Sequence, residues 1–309
     1  MKPIIVITGP TASGKTALAV ELAKKFNTEV VSADSMQVYR GMNIGTAKPT
    51  AEEMQGIRHN MIDVAEPYES FSVAQYCDMA KRVIERIHSE GKIPILAGGT
   101  GLYINSLING LDFSKGSSDE EYRAELRELS EKKGNAYLHK MLSDIDPESG
   151  RRIHENDVKR VIRALEVFKV TKMTMTEYQR LAASAPPRYE AVKIELCWER
   201  AVLYDRINKR VDIMIDEGLE DEVKGLCNER FLKSTAAQAI GYKEMIAYFD
   251  GRMTYSEAIE AIKQGSRNYA KRQISFFGAD KSINKLDVTG KSLPYIINEA
   301  EKLTGGLSL

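Results

Sequence analysis

Gly9-Pro10-Thr11-Ala12-Ser13-Gly14-Lys15-Thr16 has the spacing Gly-x-x-x-x-Gly-Lys-Thr, and each residue type in it has a job at an anion. Glycines let the backbone turn so that successive N–H groups face one anion, and a helix opening near Gly14 adds its positive end. Lys15 can pair with phosphate oxygens, and the Thr16 hydroxyl can ligate a Mg²⁺ that bridges them. Two further polar turns follow short apolar runs: Asp34-Ser35-Met36-Gln37-Val38-Tyr39 and Gly98-Gly99-Thr100-Gly101. An aspartate in such a turn can act as a general base on an incoming nucleophile, or simply cap the turn.

These residues need elements that bring them to one edge. Ile4–Ile7 reads as a strand and 17–26 as a helix; Glu29–Ser32 reads as the next strand. Asn60–Val64 is a third apolar stretch, and Ile93–Ala97 a fourth. Between them Val73, Tyr76, Cys77, Ala80, Val83, Ile84 and Ile87 recur with the helical period from about Ser72 to Ser89, and Gly91 stops the helix. Alternating strands and helices with near-continuous apolar strands predict an α/β fold, a parallel sheet covered on both faces by helices. Ligands collect beyond the carboxyl ends of such strands, the edge where the glycine loop, Asp34 and Thr100 all fall.

Composition narrows the class. Hydrophobic content of 43% and charged content of 28% are ordinary for a globular chain of 309 residues. Lys+Arg and Asp+Glu are both 44, so any site for a polyanion must be local. Cys77, Cys197 and Cys227 are far apart and four histidines are scattered, which points away from zinc and from a disulfide framework. With no secretion signal and no 18-residue apolar run, the expected location is the cytoplasm.

The pattern changes after Gly110. Residues 112–190 read as an inserted helical domain between the two parts of the core, 1–111 and 191–309, with Pro186-Pro187 closing it and Ala191–Cys197 returning to the sheet. Residues 110–148 hold ten acidic and six basic side chains, net −4, whereas 151–172 hold seven basic and three acidic, net +4. There Asn156 or Asp157 would cap a helix whose apolar stripe is Val158, Val161, Ile162, Leu165 and Phe168. Lys159, Arg160 and Arg163 would converge on its other face, either as a phosphate contact or as an ordinary solvated face. The last third reads as helical. Leu203, Ile207, Val211 and Met214 form one stripe, Gly218 a stop, and Arg206 and Arg210, four apart, share one side. Residues 262–285 carry six cations against Asp280, with Tyr269, Phe276 and Phe277 expected in the core.

From these residues alone three uses of the loop stay open: a small-molecule kinase, a nucleotide-driven switch, or a transferase in which the loop holds pyrophosphate as a leaving group. Kinases and switches usually anchor magnesium with an aspartate on a buried strand, and no strand here runs into Asp-x-x-Gly.

Taken together, Gly-Pro-Thr-Ala-Ser-Gly-Lys-Thr at 9–16, Asp-Ser-Met-Gln-Val-Tyr at 34–39 and Gly-Gly-Thr-Gly-Leu-Tyr at 98–103 resemble the bacterial tRNA dimethylallyltransferase (tRNA isopentenyltransferase) family. Asn-Asp-x-x-Arg-x-x-Arg-Ala-Leu-Glu at 156–166, Ala-Ile-Gly-Tyr-Lys-Glu at 239–244 and Ala-Lys-Arg-Gln at 270–273 extend the likeness over roughly 4 to 280. After Gln273 the family usually continues Thr-Trp-Phe-Arg, where this chain reads Ile-Ser-Phe-Phe-Gly.

The resemblance implies a P-loop NTPase-like sheet and transfer of a dimethylallyl group from its diphosphate to N6 of the adenine 3′ to the anticodon. It implies that Gly9, Pro10, Thr11, Ala12, Ser13, Gly14, Lys15 and Thr16 hold the diphosphate, that Thr16 holds Mg²⁺, and that Arg206 and Arg210 add charge there. Asp34 would be the general base and Thr100 would steady the nucleophile, with Lys15 and Thr16 completing the catalytic set. The tRNA would meet Asp34, Ser35, Met36, Gln37, Thr100, Arg123, Lys159, Arg160, Arg163, Gln238, Gly241, Tyr242, Lys243, Arg267, Lys271 and Arg272. Expected partners are the tRNA anticodon stem-loop and dimethylallyl diphosphate, with the chain monomeric and off the membrane. Alternatives are transfer to free adenine nucleotides, as in the related cytokinin-forming enzymes, or a P-loop kinase.

Overall fold

A computed structural model of the chain describes residues 1–110, 119–184 and 186–307. Two compact units are present, one of 1–108 with 188–309 and one of 109–187.

In the larger unit β1 (Lys2–Thr8) is buried along almost its whole length, which is why it reads as a continuous apolar run. It leads through the glycine loop into α1 (Lys15–Lys25), then β2 (Val30–Ser32), the short α2 (Ala51–Met54) and β3 (His59–Asn60). Helix α3 (Val73–Ser89) starts at a capping box between Ser72 and Gln75 and buries the stripe at Tyr76, Cys77, Ala80, Ile84 and Ile87. Next come β4 (Ile95–Ala97) and α4 (Gly101–Asn109).

The smaller unit holds α5 (Glu120–Lys133), α6 (Asn135–Ile145), α7 (Pro147–Arg152), α8 (Val158–Thr171) and α9 (Met175–Ser184). Leu126, Leu138, Leu142, Val161, Ile162 and Leu165 form its core. Asp157 caps α8, accepting from Arg160 N at 3.4 Å. At the base of α7 the buried Asp146 accepts from Ser149 N at 3.0 Å, Thr176 N at 2.9 Å and Thr176 Oγ1 at 2.8 Å, which ties α9 to α7.

The chain then adds β5 (Tyr189–Cys197), α10 (Arg200–Asp216), α11 (Leu219–Leu226), α12 (Glu229–Leu232), α13 (Tyr242–Phe249) and α14 (Tyr255–Gly278), followed by β6 (Asn284–Asp287) and α15 (Leu293–Thr304). The six strands are all parallel in the order β3-β2-β4-β1-β5-β6. β1 therefore lies between β4 and β5, with Ile5 opposite both Ile95 and Val192. The parallel α/β sheet is as the strand–helix alternation indicated.

The differences from the sequence reading are local. Of the third apolar stretch, Asn60–Val64, only Asn60 is strand, paired with the preceding His59 in β3, and β5 starts at Tyr189, two residues before the expected Ala191. The expected boundary at 111/112 lies outside the described residues. β6 was not anticipated, because a four-residue edge strand reading Asn-Lys-Leu-Asp lacks an apolar run. Gly218 stands before α11 at φ 96°, starting that helix as well as ending the previous one.

Candidate active site

The glycine loop leaves β1 at Gly9, where φ is 143° and a Cβ would lie 2.9 Å from Leu196 O on β5. Only glycine fits this approach, and it lets the loop curl over the end of the sheet. Lys15, the first residue of α1, folds back and donates to Gly9 O at 3.1 Å and Pro10 O at 2.8 Å. Burial, and then the charge of Arg210, pull the Lys15 ammonium down to about 8; Asp34 opposes them in part. The Ser13 hydroxyl is buried without a hydrogen-bond partner among the described residues.

The second turn is organised around Asp34. Its Oδ1 accepts from Met36 N at 2.9 Å and Gln37 N at 3.3 Å, whereas Oδ2 has no partner among the described residues. Capping thus uses one oxygen and leaves the other at the cleft. Thr100 joins this turn to its own: its Oγ1 accepts from Ser35 N at 2.9 Å and donates to Ser35 Oγ at 3.3 Å, while Thr100 N donates to Ala33 O at 3.0 Å. Tyr269 lines the same cleft, and burial followed by the Asp34 charge pushes its phenol up to about 12, with Thr100 and Gln273 opposing in part.

A cleft of about 770 Å³ opens between these parts, lined by Thr11 to Ala17, Asp34, Gln37, the loop around 43–50, and α10. From α10, Arg206 Nε donates to Ala12 O at 3.0 Å and Arg210 reaches Thr11 Oγ1 at 3.4 Å. The Arg206 guanidinium lies 4.3 Å from the Trp198 ring centroid, and Trp198 Nε1 holds Ser13 O at 3.0 Å. Neither arginine has a carboxylate within ion-pair distance among the described residues; burial lowers the Arg210 guanidinium, and the charges of Asp34, Glu53 and Glu217 oppose it only in part. The i, i+4 spacing on α10 brings both to the glycine loop.

The donor set at Thr16 suits magnesium in one manner only. No group of three or more His, Cys, Asp or Glu side chains that could hold a metal occurs among the described residues. Mg²⁺ retains waters and is typically held by a few protein oxygens plus substrate phosphates, and the Thr16 hydroxyl lines the cleft with no hydrogen bond of its own among the described residues.

Several residues expected at a tRNA surface are otherwise engaged. Tyr242 is fully buried, and its hydroxyl donates to Glu222 at 2.6 Å; Gly241 beside it is buried too. Their work is internal, because Glu222 also accepts from Asn43 N, Ile44 N and Gly45 N at 2.8–3.0 Å and so pins the cleft wall. Gln37 spends its amide on Thr46 O and Ala47 O.

In the smaller unit Arg123 Nε lies 2.8 Å from Glu166 Oε1 and Arg163 NH1 lies 2.5 Å from Glu166 Oε2, with Glu166 wholly buried. Arg163 therefore does not converge with Lys159 and Arg160, which point to solvent; Arg160 meets Asp157 at 3.3 Å. Burial raises the Glu166 carboxyl, but Arg163, Asp119 N–H and Arg123 outweigh it, so the net shift is downward.

Gln238, Lys243, Lys271 and Arg272 are exposed, Ser35 and Met36 half-buried, and Arg267 donates to Asn208 Oδ1 at 2.5 Å and Gln264 Oε1 at 2.8 Å. Of the three aromatics expected in the core only Phe277 is there; Tyr269 lines the cleft and Phe276 is exposed.

Three contributors were not assigned a role from sequence. Trp198 and Glu222 gave no local signal, since their partners lie in distant segments. Gln273 closed the motif Ala-Lys-Arg-Gln and falls one helical turn after Tyr269, a polar residue on a buried face of α14.

With this geometry in view, the model of the IPP transferase family matches residues 37–280. The chain belongs to the IPP transferase family. Within it, the chain is 48% identical over 303 residues to the tRNA dimethylallyltransferase of Halalkalibacterium halodurans, covering 98% of this chain and 96% of that one. It is 50% identical over 278 residues to the tRNA dimethylallyltransferase of Acetivibrio thermocellus, covering 90% and 89%. The solved full-length tRNA isopentenylpyrophosphate transferase from Bacillus halodurans superposes with a TM-score of 0.74 at 46% identity, over 99% of this chain and 96% of that one. A eukaryotic dimethylallyltransferase acting on tRNA superposes with a TM-score of 0.78 at 29% identity, over 94% of this chain and 74% of that one. The two superpositions cover 99% and 94% of this chain.

Proposed function

We propose that this chain is a tRNA dimethylallyltransferase that moves a dimethylallyl group from its diphosphate to N6 of the adenine 3′ to the anticodon. The observation that carries this reading is the pairing, in one cleft, of an anion cradle with a carboxylate that has an uncommitted oxygen.

Backbone amides of the loop, Lys15, Arg206 and Arg210 bind the diphosphate. Magnesium would be held through the Thr16 hydroxyl and would supply further neutralisation of the leaving group. The exocyclic amine of adenine is a weak nucleophile because its lone pair is delocalised into the ring. Asp34 Oδ2 takes a proton from it as the N6–carbon bond forms, and the carbon–oxygen electron pair leaves with diphosphate. Thr100 holds Ser35 N and so keeps the Asp34 turn in place. The adenine leaves its stack to reach the cleft, as a base must for chemistry on its edge. Exposed Lys159, Arg160, Gln238, Lys243, Lys271 and Arg272 contact tRNA phosphates. The protein works in the cytoplasm, where its tRNA is; no helix among the described residues is long and apolar enough to cross a membrane.

The test supplies labelled dimethylallyl diphosphate and Mg²⁺ with unmodified tRNA, with AMP, and, in a third arm, labelled ATP with small acceptors. Label in tRNA is expected. Label in AMP alone makes the chain an adenylate transferase, phosphoryl transfer makes it a kinase, and label in neither tRNA nor AMP ends the proposal.

A further inference from the structure

Gln273 on α14 is buried between the two turns that flank the cleft. Its Oε1 accepts from Thr11 N at 2.9 Å, and its Nε2 donates to Gly99 O at 3.0 Å. The first partner belongs to the glycine loop and the second to the turn that carries Thr100. A Cβ at position 99 would lie 2.1 Å from Gln273 Nε2, so the missing side chain at Gly99 is a condition of this contact. Thr100 then holds Ser35 N, next to Asp34. A run of hydrogen bonds thus leads from the anion cradle, through one amide, to the carboxylate turn.

We infer that Gln273 is a positioning residue that sets the separation between the diphosphate loop and the Asp34–Thr100 turn; this rests on the alkyl transfer proposed above. Transfer between two bound partners needs the reacting atoms about 3–3.5 Å apart and aligned, and an error of 1 Å can cost about 10²-fold. The two turns follow neighbouring strands β1 and β4, whose pairing ends at Ile7 and Ala97; Gly98 is still held by Ile7 O at 3.1 Å and Thr8 Oγ1 at 3.2 Å, and Gln273 bridges the turns beyond it. Only a side chain with an acceptor and a donor on one terminal group meets both partners. Leucine offers neither, and an ionised glutamate would turn a second acceptor toward Gly99 O. Asparagine is one methylene short.

The experiment compares wild type with Gln273→Leu, Gly99→Ala, their combination, and Gln273→Glu, each checked by thermal unfolding. Expected is a fall in kcat of about 10–100-fold for Gln273→Leu and Gly99→Ala, within the cost of a small misplacement. Dissociation constants for dimethylallyl diphosphate and for tRNA, each measured alone, should stay within about threefold, and the combination should be no worse than Gln273→Leu. Gln273→Glu gives the readout that a merely structural role would not move. When protonated, glutamic acid again offers one donor and one acceptor, so its kcat relative to wild type should climb as pH is lowered from about 8 to 6. A ratio that is flat with pH, a loss confined to the affinity of one substrate, or a loss that only tracks the unfolding temperature overturns the inference. Absence of transfer by wild type itself overturns the proposed function and this inference with it, and is seen before any variant is read.

Discussion

Two pairs of arginines in this molecule have opposite fates. Arg206 and Arg210 on α10 reach the glycine loop through backbone and hydroxyl oxygens, without a carboxylate partner among the described residues. Arg123 and Arg163 in the smaller unit close on Glu166, which is wholly buried. The first pair keeps positive charge at an open cleft, whereas the second is held by one buried carboxylate inside a fold. Arg206, Arg210 and Arg163 sit in basic stretches and Arg123 in an acidic one, a division that the two fates do not follow, so local charge alone does not separate a cleft-lining arginine from one in a structural ion pair. What separates them is whether tertiary packing delivers a carboxylate.

That contrast can be broken or sharpened by experiment. The largest effect is expected outside the arginines, at the carboxylate the cleft keeps open. Asp34→Ala should slow transfer by about 10²–10⁴, the range for a lost general base, with tRNA binding nearly unchanged. Equal loss in both would make Asp34 a turn cap only. Glu166→Ala should destabilise the smaller unit by about 3 kcal/mol, because it takes from Arg123 and Arg163 the buried carboxylate that they share. Denaturant unfolding reads this, and a loss below about 1 kcal/mol would show that the pair is already solvated.

Arg210→Gln should raise the KM for dimethylallyl diphosphate about 10-fold, the worth of one charge-assisted hydrogen bond, with stability little changed. Arg163→Gln should do the reverse.

The cleft's lysine adds a pH signature. Its pKa in the free site is lowered to about 8, and a diphosphate bound as proposed would raise it again by opposite charge. Diphosphate binding therefore takes up a proton above that value. Affinity should be constant below pH 8 and weaken by up to about tenfold per unit above it, measured by calorimetry in buffers of different ionisation enthalpy. Lys15→Arg should remove the dependence, since arginine stays charged.

The smallest effect concerns the exposed cations of α8. Lys159→Ala should reduce the salt slope of tRNA binding by roughly one, and Arg163→Ala should leave that slope unchanged. Equal changes would return Arg163 to the tRNA surface.

How far these residues could be read in advance depended on the range of the signal. The glycine loop, Asp34 and Thr100 were legible because each lies within a few residues of a strand end, and parallel strands put those ends on one edge. Arg206 and Arg210 were legible as a pair because helical period is local. Tyr242 is expected at the tRNA from its motif, which records its identity; only packing against Glu222 and Gly45 shows that its side chain is turned inward. Arg163 was misread because Glu166, three residues on, could have faced solvent as readily as the core.

The amino-acid sequence by itself determined the α/β class, the order of strand, glycine loop and helix, and the family-wide set of motifs from 9 to 273. Periodicity, glycine spacing and residue type act over one or two helical turns, and they survive without a partner. Tertiary structure alone decided which charges were spent and which were kept. Glu166 takes Arg123 from 43 residues away, Gln273 takes Thr11 N from 262 residues away, and no local pattern encodes such distances. The reason is physical. A backbone conformation is chosen by neighbours along the chain, but the partner of a buried polar group is chosen by whatever the finished fold places within about 3 Å of it.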